Sequence, residues 1–597
     1  MTKELIHTTM VTTAETFAAR TDGVRPRSAE ETAALGRAAR LETLLGDPHD
    51  PANPHGLQAL FAADDRREVP AETEQLLADT DLGAEFVPRE YGGRLTRADL
   101  LAKVLRPVFR RDVALGFGSG ITSLFATSAV WAAGTEPQRR STAAVLLGQG
   151  RTAIVHHELA HANAILRDEF TARPAAGGGY LLNGRKDVII NAAHAGAYVV
   201  YARTDPARTP RSHSVLLLHP DQLTDGVHHL PRVQTPGMRG CRFSGLNFTD
   251  CPVPEGTLVG RPGEGVALAL RTYQVNRCLI AGTVVAAADT VLHSAVRAVT
   301  AGRSRPVARR WLGPLTGVFA DLLACDSMAT VALRALSLLP DRTHVLAAAV
   351  KYVVPDLLRE NLEELSTVLG SRGYERGSAE YGALDKLVRD LPVAGLGHAG
   401  TAACQAVIVP QLRTLAERSW FADEEPPPQL FRTGAHLPDL DYRLLSIAGG
   451  GDFLAASLVG SAARLADVRG VGGQMAALAD LAEAFVTELR ALREACRNLP
   501  PITRGTLADP AVCVLSDRYA LVLAAAAVLG VWEGQDGSDP FLAAPAWAVL
   551  ALTRIGGRLG VPVPDLPQGC PETVLEELIR RFRAGRSCDL DATAPAQ

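Results

Sequence analysis

Polar and apolar positions alternate on two different periods along this chain. In "SAEETAALGRAARLETLLG" the apolar residues fall three and four apart. Ser28 precedes them, with Glu31 three positions on, so a helix opening on a capping box is predicted from residue 29. "DPHDPANPHG" (47–56) ends it. Helical spacing resumes to about residue 150, in "RADLLAKVLRPVFRRD" and "SLFATSAVWAAG". The pattern changes at 151. "RTAIVHHE", "EFTARPA", "GYLLNGRKDVIINA", "AYVVYART", "HSVLLLHP" and "LNFTDCPVP" are short runs rich in Val, Ile, Tyr and Leu, punctuated by Gly, Pro and Asp. They predict strands of a compact β-barrel or sandwich, and "AAGGGYLLNG" predicts a strand pair joined through glycines. From 263 the helical period returns in "GVALALRTYQVNRCLIAGTVVAAADTVLHSAVRAV" and the two long stretches after it, which read as an antiparallel bundle. "FADEEPPPQLF" (421–431) reads as a linker, helices follow to about 585, and the tail "DLDATAPAQ" is expected to fray. The domains expected are therefore helical (1–150), β (151–262), a helix bundle (263–415) and an additional C-terminal helical domain (416–597).

Composition narrows the classes. The chain has 597 residues, 47% hydrophobic and 21% charged, as globular proteins do. A net charge of −4 argues against nucleic acid as a partner. The 9 cysteines include no C-x-x-C pair, so neither a disulfide framework nor a cysteine zinc site is indicated. The first residues lack the apolar core of a signal peptide. The longest apolar run, "YALVLAAAAVLGVW" (519–532), is shorter than the ~20 residues a membrane span needs. A cytoplasmic protein with no membrane span is expected.

One stretch suggests metal chemistry. "IVHHELAHANA" holds His157-Glu158-Leu159-Ala160-His161, an H-E-x-x-H. That motif needs a helix, which puts both imidazoles on one face with the glutamate as base. Here "RTAIV" reads as a strand before it, "EFTARP" as a strand after it, and no third ligand follows at H-x-x-G-x-x-H spacing. A strand ending in a polar loop fits better, and no metal site is assigned there.

Motifs in four stretches, in order, carry a resemblance: "FVPREYGG" (86–93), "YLLNGRKDVIINAAHAGAYVVYART", "PGMRGCRFSGLNFTDCPVPEGTLVGRPGEGVALAL" and "GSRGYERGSAEYGALDKLVRD". Over about residues 75–415 the chain resembles the acyl-CoA dehydrogenases. The resemblance implies a mainly α fold with a central β-barrel: an N-terminal helical domain, the barrel and a C-terminal four-helix bundle, here with an extra C-terminal helical domain. It further implies FAD between barrel and bundle, completed by a neighbouring subunit in a homodimer or homotetramer. The substrate implied is an acyl-CoA, or an acyl group on an acyl carrier protein.

The residues at the implied site depart from the family. Its flavin loop, T-E-P-G-A-G-S-D, is matched by His157 to Ala164, which keeps Glu158 and loses the Pro, both Gly and the Asp. Its W-I-T-N is Val188-Ile189-Ile190-Asn191, so Ile190 stands where a hydroxyl would meet the flavin. Arg303 matches an arginine for the flavin pyrophosphate. Gly370, Ser371 and Gly373 match the glycine-rich loop, and Thr401 a threonine near the flavin phosphates or ribose. The glutamate base of Y-E-G-T is Ala399, beside His398, and the alternative base position, before Arg277, is Asn276. Losing a positioned base costs roughly 10²–10⁴-fold. Catalytic candidates are therefore His398, Arg277 and Asn276. The expected function is a divergent flavoenzyme acting on an acyl thioester, with a place in specialised metabolism. The alternatives are a member of the fold without redox chemistry that binds an acyl group or partner, a reduced-flavin-dependent hydroxylase, and the metallohydrolase.

Overall fold

Ser28 caps the first helix as its spacing predicts. Its Oγ accepts from the Glu31 N–H at 3.2 Å, and α1 (Ala29–Leu45) follows. The computed structural model describes residues 27–596 other than 157–164, 224, 302–306, 376, 379, 397–400, 501–506 and 508. The N-terminal region continues with α2 (Leu57–Asp65), α3 (Ala71–Asp79), α4 (Ala98–Arg111), α5 (Val113–Gly116), α6 (Thr122–Ala133) and α7 (Glu136–Leu147).

The alternating runs are strands: β1 (Arg151–Val155), β2 (Thr171–Pro174), β3 (Tyr180–Ile190), β4 (Ala195–Arg203), β5 (His213–Leu218), β6 (Val227–His229), β7 (Phe243–Val253) and β8 (Leu258–Val259). They form one sheet in the order β6-β7-β3-β2-β4-β5-β8, with β1 parallel beside β4. β2 and β3 pair antiparallel across the glycines of 175–179, as expected. Among the described residues no pairing joins β6 to β8, so closure into a barrel is not seen; both end strands are very short. Period-two alternation sorts the side chains. Ala153, Val155, Tyr198, Val200, Leu216 and Leu218 fill a core of the β-region itself. Ile154, Val199, Tyr201, Val215 and Leu217, on the other face, join the large helical core. The ends of β1 and β4 are thereby held against helices.

Those helices are α8 (Gly265–Thr300), α9 (Leu312–Leu338), α10 (His344–Leu369), α11 (Ala383–Leu396) and α12 (Thr401–Arg418). Beyond them lie α13 (Phe453–Val468), α14 (Gly473–Arg497), α15 (Pro510–Glu533), α16 (Pro540–Ala543), α17 (Ala546–Leu559) and α18 (Cys570–Arg583). Helices α15, α17 and α18 pack on α9, and their apolar residues belong to the same continuous core as the bundle. Asp321 of α9 accepts from Arg554 (2.8 and 2.9 Å) and Arg558 (2.7 and 3.1 Å) of α17. The proline-rich linker is pinned too: Arg334 donates to the Gln429 and Leu430 carbonyls.

Two expectations are overturned. The tail does not fray. Ser587, Cys588 and Asp589 are buried, Lys103 binds Asp591 at 2.6 Å, and the Leu590 N–H donates to Asp326 at 2.8 Å. Its partners are Lys103, Arg106 and Arg110, spaced to share one face of α4. The expected absence of a span also fails. Among the described residues, four helical stretches, Val113–Ala133, Gly265–Thr300, Arg309–Leu338 and Pro510–Glu533, are long and apolar enough to cross a membrane by length and composition. An uninterrupted apolar run is not required for that; abundant Ala, Val and Leu keep mean hydropathy high across interspersed Gly, Thr and charged residues. In the fold, 89%, 89%, 94% and 67% of these apolar windows are buried by protein.

Candidate functional site

The seam between sheet and bundle is built on His156, directly after β1. Its Nδ1 lies 3.1 Å from the Tyr273 hydroxyl on α8, and its ring packs edge-on against Tyr201 of β4, with centroids 5.1 Å apart. All three side chains are buried. They anchor the end of β1 between β4 and α8.

Asn191 closes β3 in the left-handed region (φ 65°), where asparagine is among the best-tolerated residues. Its Nδ2 donates to the Gly118 carbonyl at 2.6 Å, and its Oδ1 is buried without a hydrogen-bond partner. Gly118 sits in a π-turn, Phe117–Ile121, between α5 and α6. Such turns recur at functional sites because they re-aim a helix face. Nearby, Arg242 binds Glu74 in a fork (2.9 and 2.5 Å), with Arg151 at 3.0 Å. Burial opposes ionisation of Glu74, yet the two guanidiniums hold its carboxyl below the ordinary range. Glu74, Ser119, Ser123, Gln149 and Arg151 line a cleft of about 440 Å³.

One turn beyond Tyr273, α8 turns Asn276 and Arg277 into the bundle. Both amide atoms of Asn276 and the Arg277 Nε are buried without hydrogen-bond partners. Facing them from α10 are His344, with neither ring nitrogen hydrogen-bonded, and Lys351, which is 2% exposed. Burial, then Arg277, lowers the His344 imidazole to about 4, so it is neutral at pH 7. Burial lowers the Lys351 amine to about 8, with Arg277 pushing the same way. The Lys351 Nζ donates to the Ala394 carbonyl of α11, five residues before Ala399. Among the described residues, neither Arg277 nor Lys351 forms an ion pair with a carboxylate.

Asn276 and Arg277 are thus together, while Ile190 and Asn191 end the sheet strand that contacts the π-turn. Gly370, Ser371 and Gly373 form a largely exposed turn at the far end of α10, about 28 Å along the helix from Lys351. Gly370 has φ 55° and open space around it. Thr401 is exposed at the start of α12, with Cys404 buried one turn on. His157, Glu158, Arg303 and His398 lie outside the described residues. Sequence reasoning missed His344 and Lys351. The available signal was two basic residues seven apart, hence on one face, in the otherwise apolar first half of α10.

Residues 132–251 match the family model for the acyl-CoA dehydrogenase middle domain. Over that stretch the chain is similar to the acyl-CoA dehydrogenases. It is 27% identical over 233 residues to the probable acyl-CoA dehydrogenase FadE25 of Mycobacterium tuberculosis, covering 39% of this chain and 59% of that protein. It is 26% identical over 324 residues to a cyclohex-1-ene-1-carbonyl-CoA dehydrogenase of Syntrophus aciditrophicus, covering 52% and 76% respectively. In fold it is similar to an acyl-CoA dehydrogenase crystallised with FAD from Bacillus anthracis, with a TM-score of 0.65 at 17% identity. That likeness covers 93% of this chain and 95% of the other, so most of the helices after Arg418 fall within it.

Proposed function

We propose that this protein is an FAD-dependent oxidoreductase acting on an acyl thioester, carried on CoA or a carrier protein, with Lys351 in the role of the missing glutamate. Two observations support a flavin between sheet and bundle: the orphaned Asn191 Oδ1 and the orphaned Asn276 amide. A flavin ring edge presents both donors and acceptors to such groups. Bound FAD supplies the acceptor for the hydride that leaves the acyl β-carbon.

The chain's own residues supply the rest. The Lys351 nitrogen, neutral in part near pH 8, takes the α-proton, as buried lysines tuned toward neutrality do. The Asn276 Nδ2 and Arg277 Nε offer donors to the thioester oxygen, where negative charge grows as that proton leaves. The bundle's apolar lining excludes water. The carrying observation is a buried amine lowered to about 8 that donates to the Ala394 carbonyl of α11.

A second reading, thioester binding without oxidation, is favoured by the position of Gly370, Ser371, Gly373 and Thr401. The turn and the start of α12 leave these expected flavin contacts away from the interior of the single chain. Incubating the purified chain with FAD and desalting it separates the two. About one flavin per chain with an oxidised-flavin spectrum supports the first; a colourless, flavin-free protein overturns it.

A further inference from the structure

The H-E-x-x-H at 157–161 is the obvious metal motif, but the spacing logic behind it is met elsewhere. Asp289 and His293 are four apart on α8, so both project from one face of a helix. The buried tail brings Cys588 to the same point, and the three donor atoms all lie within 4.8 Å of one another. The His293 Nε2 is 3.4 Å from the Asp289 Oδ1 and 3.4 Å from the Cys588 Sγ. Zinc bound tetrahedrally at about 2.0–2.1 Å to nitrogen and oxygen and about 2.3 Å to sulfur sets ligand-to-ligand edges of about 3.4 to 3.6 Å. The two separations from His293 are close to those edges, and the Asp289–Cys588 pair lies within 4.8 Å.

We propose that Asp289, His293 and Cys588 form a binding site for a borderline-soft divalent cation of the Zn²⁺ class, closing the C-terminal tail onto α8. Carboxylate, imidazole and thiolate are a mixed set that suits zinc rather than magnesium or calcium. Asp289 and His293 border a cavity of about 530 Å³ that is also lined by His49, Thr290, Arg110, Arg111 and Arg297, and water from it can complete the tetrahedron. Of these three arginines, Arg110 is the one in direct contact with a ligand carboxylate. Arg110 contacts the other carboxylate oxygen, Asp289 Oδ2, and also meets Glu42 at 3.2 Å and Asp589 at 3.9 Å. Its charge is therefore balanced by carboxylates outside the ligand set, and it orients Asp289 from behind, as outer-shell partners of metal ligands do. Binding requires the thiol to release its proton, so metal uptake by the purified chain liberates acid.

This site is independent of the acyl thioester reading. The full-length protein, stripped with chelator and dialysed, is titrated with Co²⁺ and followed by absorbance, and its zinc content is measured after Zn²⁺ loading. The expected result is one equivalent of metal and a thiolate-to-cobalt charge-transfer band. Cys588→Ser loses that band, His293→Gln weakens Co²⁺ binding at least about tenfold, and Cys570→Ser, a buried cysteine elsewhere on the tail-side helices, keeps both. The proposal is overturned if the wild-type chain gives no charge-transfer band with Co²⁺. It is equally overturned if Cys588→Ser gives the same band and zinc content as wild type.

Discussion

Replacing Lys351 with methionine separates a catalytic lysine from a structural one. Methionine keeps the stem's volume and removes a buried amine. The amine sits at about 8 in the fold against 10.5 for a free lysine, so keeping it charged in the interior costs about 3 kcal/mol. Loss of the hydrogen bond to the Ala394 carbonyl returns about 1 kcal/mol of that. Lys351→Met is therefore expected to be about 2 kcal/mol more stable than wild type at pH 7. The sign with pH follows from the lowered pKa. The unfolded chain holds the proton between about 8 and 10.5 while the folded chain does not, so wild-type stability rises across that window. The variant's advantage is full below pH 8 and gone by about 10.5. Urea unfolding at pH 7 and pH 10 reads this directly. Over the same substitution, reduction of bound flavin by an acyl-CoA, followed by stopped-flow absorbance, is expected to slow by about 10²–10⁴-fold. A variant less stable than wild type at pH 7, or one that reduces flavin at the wild-type rate, refutes the reasoning.

Three further outcomes follow from other contacts. Arg277→Met removes a cation that holds Lys351 down, so the pH at which kcat/KM reaches half its plateau is expected to move upward, away from about 8; a pH–rate profile checks it. Asp321→Asn leaves Arg554 and Arg558 of α17 without their shared buried carboxylate and is expected to cost about 3–5 kcal/mol in chemical denaturation. Gly530→Ala sets a Cβ 2.3 Å from the Phe431 ring, where α15 meets the linker, and is expected to destabilise by about 1–3 kcal/mol, read as a lowered Tm.

What was legible in the sequence was local. The Ser28–Glu31 capping pair, the alternation of β1 to β7 and the order of the family-like motifs each depend on a few neighbouring residues, and each appears in the fold or the comparisons. What was not legible depends on distant partners. "DLDATAPAQ" looks like a loose end because its composition is polar, but Asp591 meets Lys103 at a separation of 488 residues. Lys351 reads as an isolated charge in an apolar helix until the fold sets it beside Arg277 and under α11. The apolar helices are not legible as uninterrupted runs, because α8 and α9 are apolar only on average, with Asp289 and Asp321 buried among their small residues.

Oxidation of an acyl thioester is tested by an anaerobic absorbance titration of the FAD-loaded chain with saturated acyl-CoAs of several lengths. At least one is expected to bleach the oxidised-flavin spectrum and yield the 2,3-enoyl thioester in equal amount. A flavin that stays oxidised with every acyl thioester, CoA-bound or carrier-bound, contradicts it.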